Sequence, residues 1–321
     1  MPLIEAEAQN EHIVFEAGCH SSSLLSVNHT ITFSRSSSST VECLRSLSAS
    51  RVASLFPPRW NMPGIWSLPQ HPSGQHFEGI AIVDGVTIAK SFISSLSLAM
   101  IDVPLMFGQM AQEPDEYPGD DVSGLTSEEW QAMLNETFAP WGDDVGMTIW
   151  SLYAEESDPD PQRGYDAIVT DYGLTCAAVQ LSRAAYSLGA RQSPTYVFLN
   201  TWGLASPYLV SSDYFSRYPH HVVDWWMVTE QWSVIGDGSY APQSSDTNGT
   251  LFLQNLWYNF MTKRTPGDGF LPVSSLPGWP DVYNFYRISY PQSFSVPNLK
   301  SGVCTYFTQI GIDRPQFWWA N

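Results

Sequence analysis

Positive charge is scarce in this sequence, where 14 lysines and arginines stand against 32 aspartates and glutamates for a formal net charge of −18. Nucleic-acid duplexes and anionic membranes are bound through clustered cations, so neither is expected as a partner. A membrane span needs about 20 largely apolar residues. The most apolar stretch, around residues 96–108, is interrupted by Asp102 and Pro104, so we predict no membrane span in this chain.

Cysteine is also sparse, and no two of the four cysteines have the close spacing of a CxxC metal site. The cysteine spacing therefore predicts no metal site of this kind. An even number allows two disulfides in any of three pairings, with four free buried thiols as the alternative. The cysteines are Cys19, Cys43, Cys176 and Cys304.

Signals for the secretory pathway are mixed. The first residues carry Glu5 and Glu7 where a secretory leader would have cations and then an apolar run, so we do not expect them to act as one. Three Asn-x-Ser/Thr motifs are candidate glycosylation sites, at Asn28, Asn135 and Asn248.

Hydrophobic residues make up 43% of the chain, enough for a large core, and their pattern alternates between strand and helix. Such alternation predicts an α/β class with a mainly parallel sheet. The predicted strands are Ile80–Val83, Val103–Phe107 and Thr195–Leu199. The predicted helices begin at a Thr126/Glu129 capping box, span Asp171–Leu188 before Gly189, and span Leu251–Lys263. Surface loops are predicted at residues 34–40, 113–121 and 236–248.

Ionisable residues follow two of the predicted strands, where the active groups of open α/β sheets lie. Glu113 follows the strand at residues 103–107, and a His220-His221 pair follows the strand at residues 195–199. A carboxylate that orients a histidine forms the acid–base half of a nucleophilic triad. The alternative is a surface glutamate and a solvated histidine pair.

Short motifs distributed over nearly the whole chain occur in the order found in one enzyme family. In them the chain resembles the C-terminal part of a type B carboxylesterase, the cholinesterase-like branch of the α/β hydrolases. The motifs are Ile13–Gly18, Cys43-Leu44-Arg45, Val83-Asp84-Gly85, Val103-Pro104-Leu105 with Gly108 and Glu113, Asp171 with Cys176, Tyr196-Val197-Phe198, His221 with Asp224, Trp257 with Phe260, Trp279-Pro280, and Cys304 with Phe307.

The resemblance implies an incomplete α/β-hydrolase fold, the C-terminal portion of the sheet with its helices, with residues 1–321 as a single partial domain. Glu113 would be the triad acid and His221 the general base. The spacing to Asp224 favours His221 over His220, and Asp224 would have a structural role in holding the histidine loop. The implied disulfides are Cys19–Cys43 and Cys176–Cys304.

One departure from the family concerns the nucleophile. No Gly-x-Ser-x-Gly occurs in the 321 residues, and in the family this motif and the oxyanion loop would precede residue 13. The resemblance thus implies a fragment of a secreted or membrane-held carboxylic-ester hydrolase for small-molecule esters, without cofactor and inactive alone. The alternative is a non-catalytic cholinesterase-like adhesion or binding protein. Trp225-Trp226 would line a substrate gorge or, as the alternative, pack in the core.

Overall fold

The computed structural model describes residues 11, 13–19, 38–55, 66–69, 83–211, 214–236 and 238–312. The chain divides into two compact units. The first contains residues 1–62, 76–91 and 321, and the second contains residues 63–75 and 92–320. None of the helices within the described residues is long and apolar enough to cross a membrane.

Up to residue 54, the described part of the first unit contains short helices. Helix α1 spans Ser38–Ser46 and helix α2 spans Ala49–Ala53, and the Ser48 side chain caps α2 by accepting a hydrogen bond from the Arg51 amide. The motif Ile13–Gly18, which resembles a strand segment of the carboxylesterase family, does not form a strand here, because the amide of Ala17 bonds to the carbonyl of Ile13 in a helical turn.

Two further predictions fall on this unit. Residues 38–40 begin α1, so the loop predicted at 34–40 is wrong at its end, while residues 34–37 lie outside the described residues. Of the strand predicted at residues 80–83, only Val83 is described, in a single bridge.

The second unit contains a four-stranded sheet in the order β1-β2-β5-β6 and a small two-stranded sheet, β3-β4. Strands β1 and β5 run parallel to the central β2, and β6 runs antiparallel to β5. A mixed sheet with helices agrees with the predicted α/β class, and three of its four strands are parallel. The strands are β1 (Leu105–Met110), β2 (Thr195–Asn200), β3 (Tyr208–Leu209), β4 (Phe215–Ser216), β5 (Asn284–Ile288) and β6 (Phe294–Pro297).

Nine helices of the second unit lie within the described residues. The Thr126/Glu129 capping box is confirmed at the start of α4. A π-helical turn, Asp171–Thr175, joins α7 to α8. The helices are α3 (Phe92–Ser97), α4 (Ser127–Phe138), α5 (Val145–Leu152), α6 (Ala154–Ser157), α7 (Pro161–Thr170), α8 (Cys176–Tyr186), α9 (Val223–Thr229), α10 (Ser244–Lys263) and α11 (Ser301–Ile310).

Helix α10 begins at Ser244 rather than at Leu251, so the loop predicted at residues 236–248 is wrong over its second part. The early start has a physical cause, because Gln243 and Asp246 form a reciprocal capping box that satisfies the first amides of the helix. The apolar pattern begins only later in the helix.

Strand β2 is buried over its whole length and separates two layers of apolar side chains. Tyr196 and Phe198 pack with Leu253 and Leu256 of α10 in one cluster. Val197 and Leu199 belong to a second, larger cluster that includes residues of α7 and α8. Because side chains alternate across a strand, the continuous apolar run of β2 serves both faces. Each fully buried side chain of this size contributes about 1.5–3 kcal/mol.

The pairing of β1 with β2 depends on one glycine. Gly108 lies opposite Phe198 in the parallel register, and a Cβ at this position would overlap the Phe198 ring. We expect Gly108→Ala to lower the free energy of unfolding by about 3 kcal/mol, because the ring is buried and cannot move aside without overpacking the core. Urea unfolding measures the change. The matched control is Gly124→Ala, whose new methyl group meets no atom within 4 Å; an equal effect of the two changes would contradict this explanation.

Candidate active site

Glu113 lies just beyond the C-terminal end of β1, on a 3₁₀ turn that spans Glu113–Glu116. Its carboxylate is buried, and Oε1 accepts a hydrogen bond of 2.7 Å from the Met110 amide. The Glu113 amide in turn donates to Thr170 Oγ1 at 2.8 Å. The loop predicted at residues 113–121 is therefore wrong at its start, since the first three residues are buried between β1 and α7.

His221 is brought to Glu113 by two backbone hydrogen bonds. The Gln112 amide donates to the Pro219 carbonyl, and the His221 amide donates to the Glu113 carbonyl, both at 3.0 Å. His221 Nδ1 then lies 2.6 Å from Glu113 Oε2. This contact joins two residues that are 108 positions apart in the sequence, at one end of the parallel strands. The geometry is that of a carboxylate holding an imidazole by Nδ1.

The residue after His221 adopts an unusual backbone conformation. Val222 has φ +59°, the left-handed region, which costs a β-branched residue about 1–3 kcal/mol. The conformation is held by hydrogen bonds on both sides, from the His221 amide to the Glu113 carbonyl and from the Trp226 amide to the Val222 carbonyl. It lets α9 begin at Val223, directly behind the histidine.

The electrostatics around His221 favour its protonated form. The hydrogen bond to Glu113 is the largest cause of its raised pKa, and the charges of Asp224 and Glu116 act in the same direction. Burial raises the pKa of Glu116 to about 7, although the charge of His221 opposes the shift. More than half of the His221 side-chain surface is exposed (53%), whereas Glu113 is almost fully covered. The imidazole is therefore held at Nδ1 and remains accessible.

His220, the rival to His221, has both ring nitrogens occupied. Nδ1 lies 2.8 Å from the His221 carbonyl, which can only accept, so Nδ1 carries the proton. Nε2 then accepts from the Tyr208 hydroxyl at 2.9 Å. Burial lowers the pKa of His220 to about 4. His220 therefore braces the backbone of His221 as a neutral ring.

The aromatic and acidic neighbours have distinct positions. Trp66 packs on the His221 ring, with 5.1 Å between ring centroids. Trp226 packs on His220, whereas Trp225 is exposed. Asp224 accepts a hydrogen bond from the Trp225 amide at the start of α9, and burial raises its pKa. Its role in holding the histidine loop stays a prediction.

The two disulfides are Cys19–Cys43 and Cys176–Cys304, the pairing implied by the family resemblance. Among the glycosylation candidates, Asn248 is exposed on α10, while Asn135 on α4 is partly buried and contacts Met147. Asn28 lies outside the described residues.

Several contributors to the site were not predicted from sequence: Thr170, Glu116 and Asp115. The dense acidic run at residues 113–116 is the available signal, but such a run is typical of a surface loop. For Thr170 there was no local signal, because its contact with Glu113 joins residues 57 positions apart.

The neutral state of His220 predicts a specific acid sensitivity. Its folded pKa of about 4 lies below the ordinary 6.5, so its stabilising contribution is present above pH 6.5 and is lost as the pH falls toward 4. The loss amounts to about 3 kcal/mol. Urea unfolding at pH 6.5 and pH 4 should show this loss in the wild type and a smaller one in His220→Asn. The asparagine keeps a donor toward the His221 carbonyl but does not titrate; identical pH dependences would contradict the assignment.

The fold and the site together define an α/β protein with a buried glutamate bonded to an accessible histidine beyond the carboxyl ends of parallel strands. No protein-family model and no curated protein matches the chain.

Proposed function

We propose that this chain supplies the acid and the base of a carboxylic-ester hydrolase that acts by Ser–Glu–His acyl transfer. The observation that carries the proposal is the 2.6 Å contact between Glu113 Oε2 and His221 Nδ1. Bare juxtaposition of an acid and a histidine is common, but here the carboxylate is buried and oriented by a backbone amide while the ring is accessible. This combination is what general-base catalysis requires.

Each residue has one task in the proposed reaction. Glu113 accepts a hydrogen bond from the Nδ1–H of His221, which keeps the lone pair on Nε2. Nε2 takes the proton of a serine hydroxyl as the oxygen attacks the ester carbonyl, and it then returns that proton to the leaving alcohol. In the second half Nε2 takes a proton from water as the water oxygen attacks the acyl-serine ester, and it returns that proton to the serine oxygen as the bond to the acyl group breaks and the carboxylic acid leaves. The raised pKa of His221 fits a base that must hold a proton between these steps.

The chain contains no recognisable serine nucleophile or oxyanion loop, because no Gly-x-Ser-x-Gly occurs in it. The proposal therefore includes a nucleophile supplied from outside these residues, within an α/β-hydrolase fold of which residues 1–321 form one partial domain. The substrate class is a small-molecule carboxylic ester, and the chemistry needs no metal or cofactor.

Location follows from the disulfides. Two disulfides are typical of proteins that fold in an oxidising compartment. We extend this to a parent protein of the secretory pathway or the extracellular space. The exposed Asn248 is then the favoured acceptor for a glycan among the described candidates.

A test of the proposed function begins with the coding sequence upstream of the Met1 codon, which is expected to encode Gly-x-Ser-x-Gly in frame. The extended polypeptide should hydrolyse p-nitrophenyl butyrate, whereas residues 1–321 alone should not exceed background. His221→Ala should lower the rate about 10⁴-fold or more, because catalysis then rests on binding and oxyanion contacts alone. Glu128→Gln, an exposed change on α4, is the control and should leave the rate unchanged.

Two results would oppose the proposal. An in-frame stop codon with no upstream serine motif would leave the pair without a nucleophile, and this would favour the adhesion or binding alternative. Equal rates for the wild type and His221→Ala would show that hydrolysis occurs elsewhere.

A further inference from the structure

Asp115 joins the turn that carries Glu113 to the segment that leads to the histidines. It is fully buried, and its Oδ2 accepts hydrogen bonds from the backbone amides of Arg217 and Tyr218, at 2.6 and 2.7 Å. The hydroxyls of Tyr214 and Ser216 donate to the same carboxylate, each at 2.8 Å. Four donors from residues 214–218 therefore converge on one side chain two residues after Glu113. No position in this network touches a reacting atom, so its task is positioning.

A second buried carboxyl group lies against the first. Asp166 on α7 is fully buried and within hydrogen-bonding contact of Asp115. Its Oδ1 accepts from Gln162 at 2.9 Å, but no donor among the described residues reaches its Oδ2. Two carboxylates cannot bond to each other without a proton, and an unpaired buried charge is strongly destabilising. A single proton on Asp166 removes the unpaired buried charge and lets the two carboxyl groups bond, because the O–H of Asp166 then donates to Asp115.

The groups that face this pair do not remove the need for the proton. The only cation among them, within the described part of the chain, is Arg217, and it is ion-paired with Asp160 at 3.0 Å. The remaining groups are acidic or phenolic and favour a neutral Asp166. The facing groups are Asp160, Tyr165, Tyr208, Tyr214, Arg217 and Tyr218.

We propose that Asp115 is a positioning residue for the Glu113–His221 pair and that it holds the histidine segment only while Asp166 carries a proton donated to it. Loss of that proton places two buried negative charges in contact, and the segment of residues 214–221 separates from the Glu113 turn. The chain thereby has a built-in pH control of the pair. Only the catalytic consequence rests on the proposed ester hydrolysis.

The sign of the pH effect follows from the direction of the shift. Burial raises the pKa of both Asp166 and Asp115 above the ordinary 3.8. A raised folded-state pKa gives stability that is full below 3.8 and is lost as the pH rises through the folded pKa. The free energy of unfolding of the wild type should therefore fall as the pH rises through the folded pKa values. In Asp166→Asn, which keeps an N–H donor toward Asp115, the fall should be smaller.

The test combines two measurements on the intact chain that need no activity. Infrared spectroscopy at pH 7 should detect the carbonyl band of a protonated carboxyl group that is absent from Asp166→Asn. In hydrogen exchange, the protection factors of the Arg217 and Tyr218 amides should fall more than about tenfold in the wild type as the pH rises through the pKa of Asp166. The fall is expected because these amides then lose their hydrogen bonds to a charged acceptor. Asp166→Asn should keep its protection over the same range.

The matched variants decide the result. Asp115→Ala, which removes the acceptor, should lose protection of the same amides at every pH, while Asp143→Asn, an exposed change, should match the wild type. A wild-type carboxyl band at pH 7 no larger than that of Asp166→Asn would overturn the proposal, because Glu116, whose pKa is about 7, contributes equally to both. Equal loss of protection in the wild type and in Asp166→Asn would overturn it as well. Since neither measurement depends on ester hydrolysis, failure of the proposed function leaves this test intact.

Discussion

Substitution of Glu113 by glutamine is expected to lower the rate of ester hydrolysis about 10⁴-fold in the polypeptide that carries the nucleophile. The reason lies in the hydrogen bond that the Met110 amide donates to Oε1. In the variant this donor selects the amide oxygen, so the NH₂ group faces His221 Nδ1. A donor at that position makes Nδ1 an acceptor and puts the ring proton on Nε2, where the base must be free.

The geometry of the site should survive this change, which makes the comparison informative. Glutamine has the size of glutamate and keeps the bond to Met110, so thermal unfolding should change little. Steady-state assays with a chromogenic ester give the rates. Glu113→Gln with a rate within tenfold of the wild type and an intact fold would contradict the role assigned to Glu113.

Removal of the Cys176–Cys304 disulfide should produce the largest loss of stability. The bond closes a loop of 128 residues, which is worth about 5 kcal/mol in the loop-entropy account. Both sulfurs are buried, so the double variant Cys176→Ala/Cys304→Ala avoids adding polar groups to the core. It also leaves α11 attached through Lys300, whose amine forms ion pairs with Asp171 and Glu156.

The other disulfide supplies the matched control. Cys19–Cys43 closes a loop of 24 residues, for which the same account gives about 3 kcal/mol. Urea unfolding of the two double-alanine variants should therefore rank the longer loop as the greater loss. A Cys176/Cys304 variant as stable as the wild type would show that packing and the Lys300 ion pairs hold α11 without the covalent bond.

The parts of the fold that sequence predicted are those with a local physical cause. The start of α4 follows from Thr126 and Glu129 alone, and β2 follows from a short β-branched and aromatic run. Errors arose where a distant contact decides the outcome. Strand β1 covers Leu105–Met110 rather than 103–107, because its bounds are set by pairing with β2. The short helices α5 and α7 are not among the predicted helices.

The site shows the same limit. Glu113 and His221 were predicted from their positions after strands and from the family resemblance, and their contact is present in the structure. Asp115 gave no such signal, since an acidic, proline-containing run is typical of a solvated loop. Its burial depends on amide donors from residues 217 and 218, which sequence alone cannot bring to it.

The most direct test of the central claim is the pKa of His221, measured by nuclear magnetic resonance of the imidazole nitrogens in residues 1–321. Bonding to Glu113 predicts a pKa above 6.5 and a marked fall in Glu113→Gln, with Nδ1 protonated in the neutral wild-type ring. A His221 pKa at or below 6.5 that Glu113→Gln leaves unchanged would show that the two side chains are not an acid–base pair.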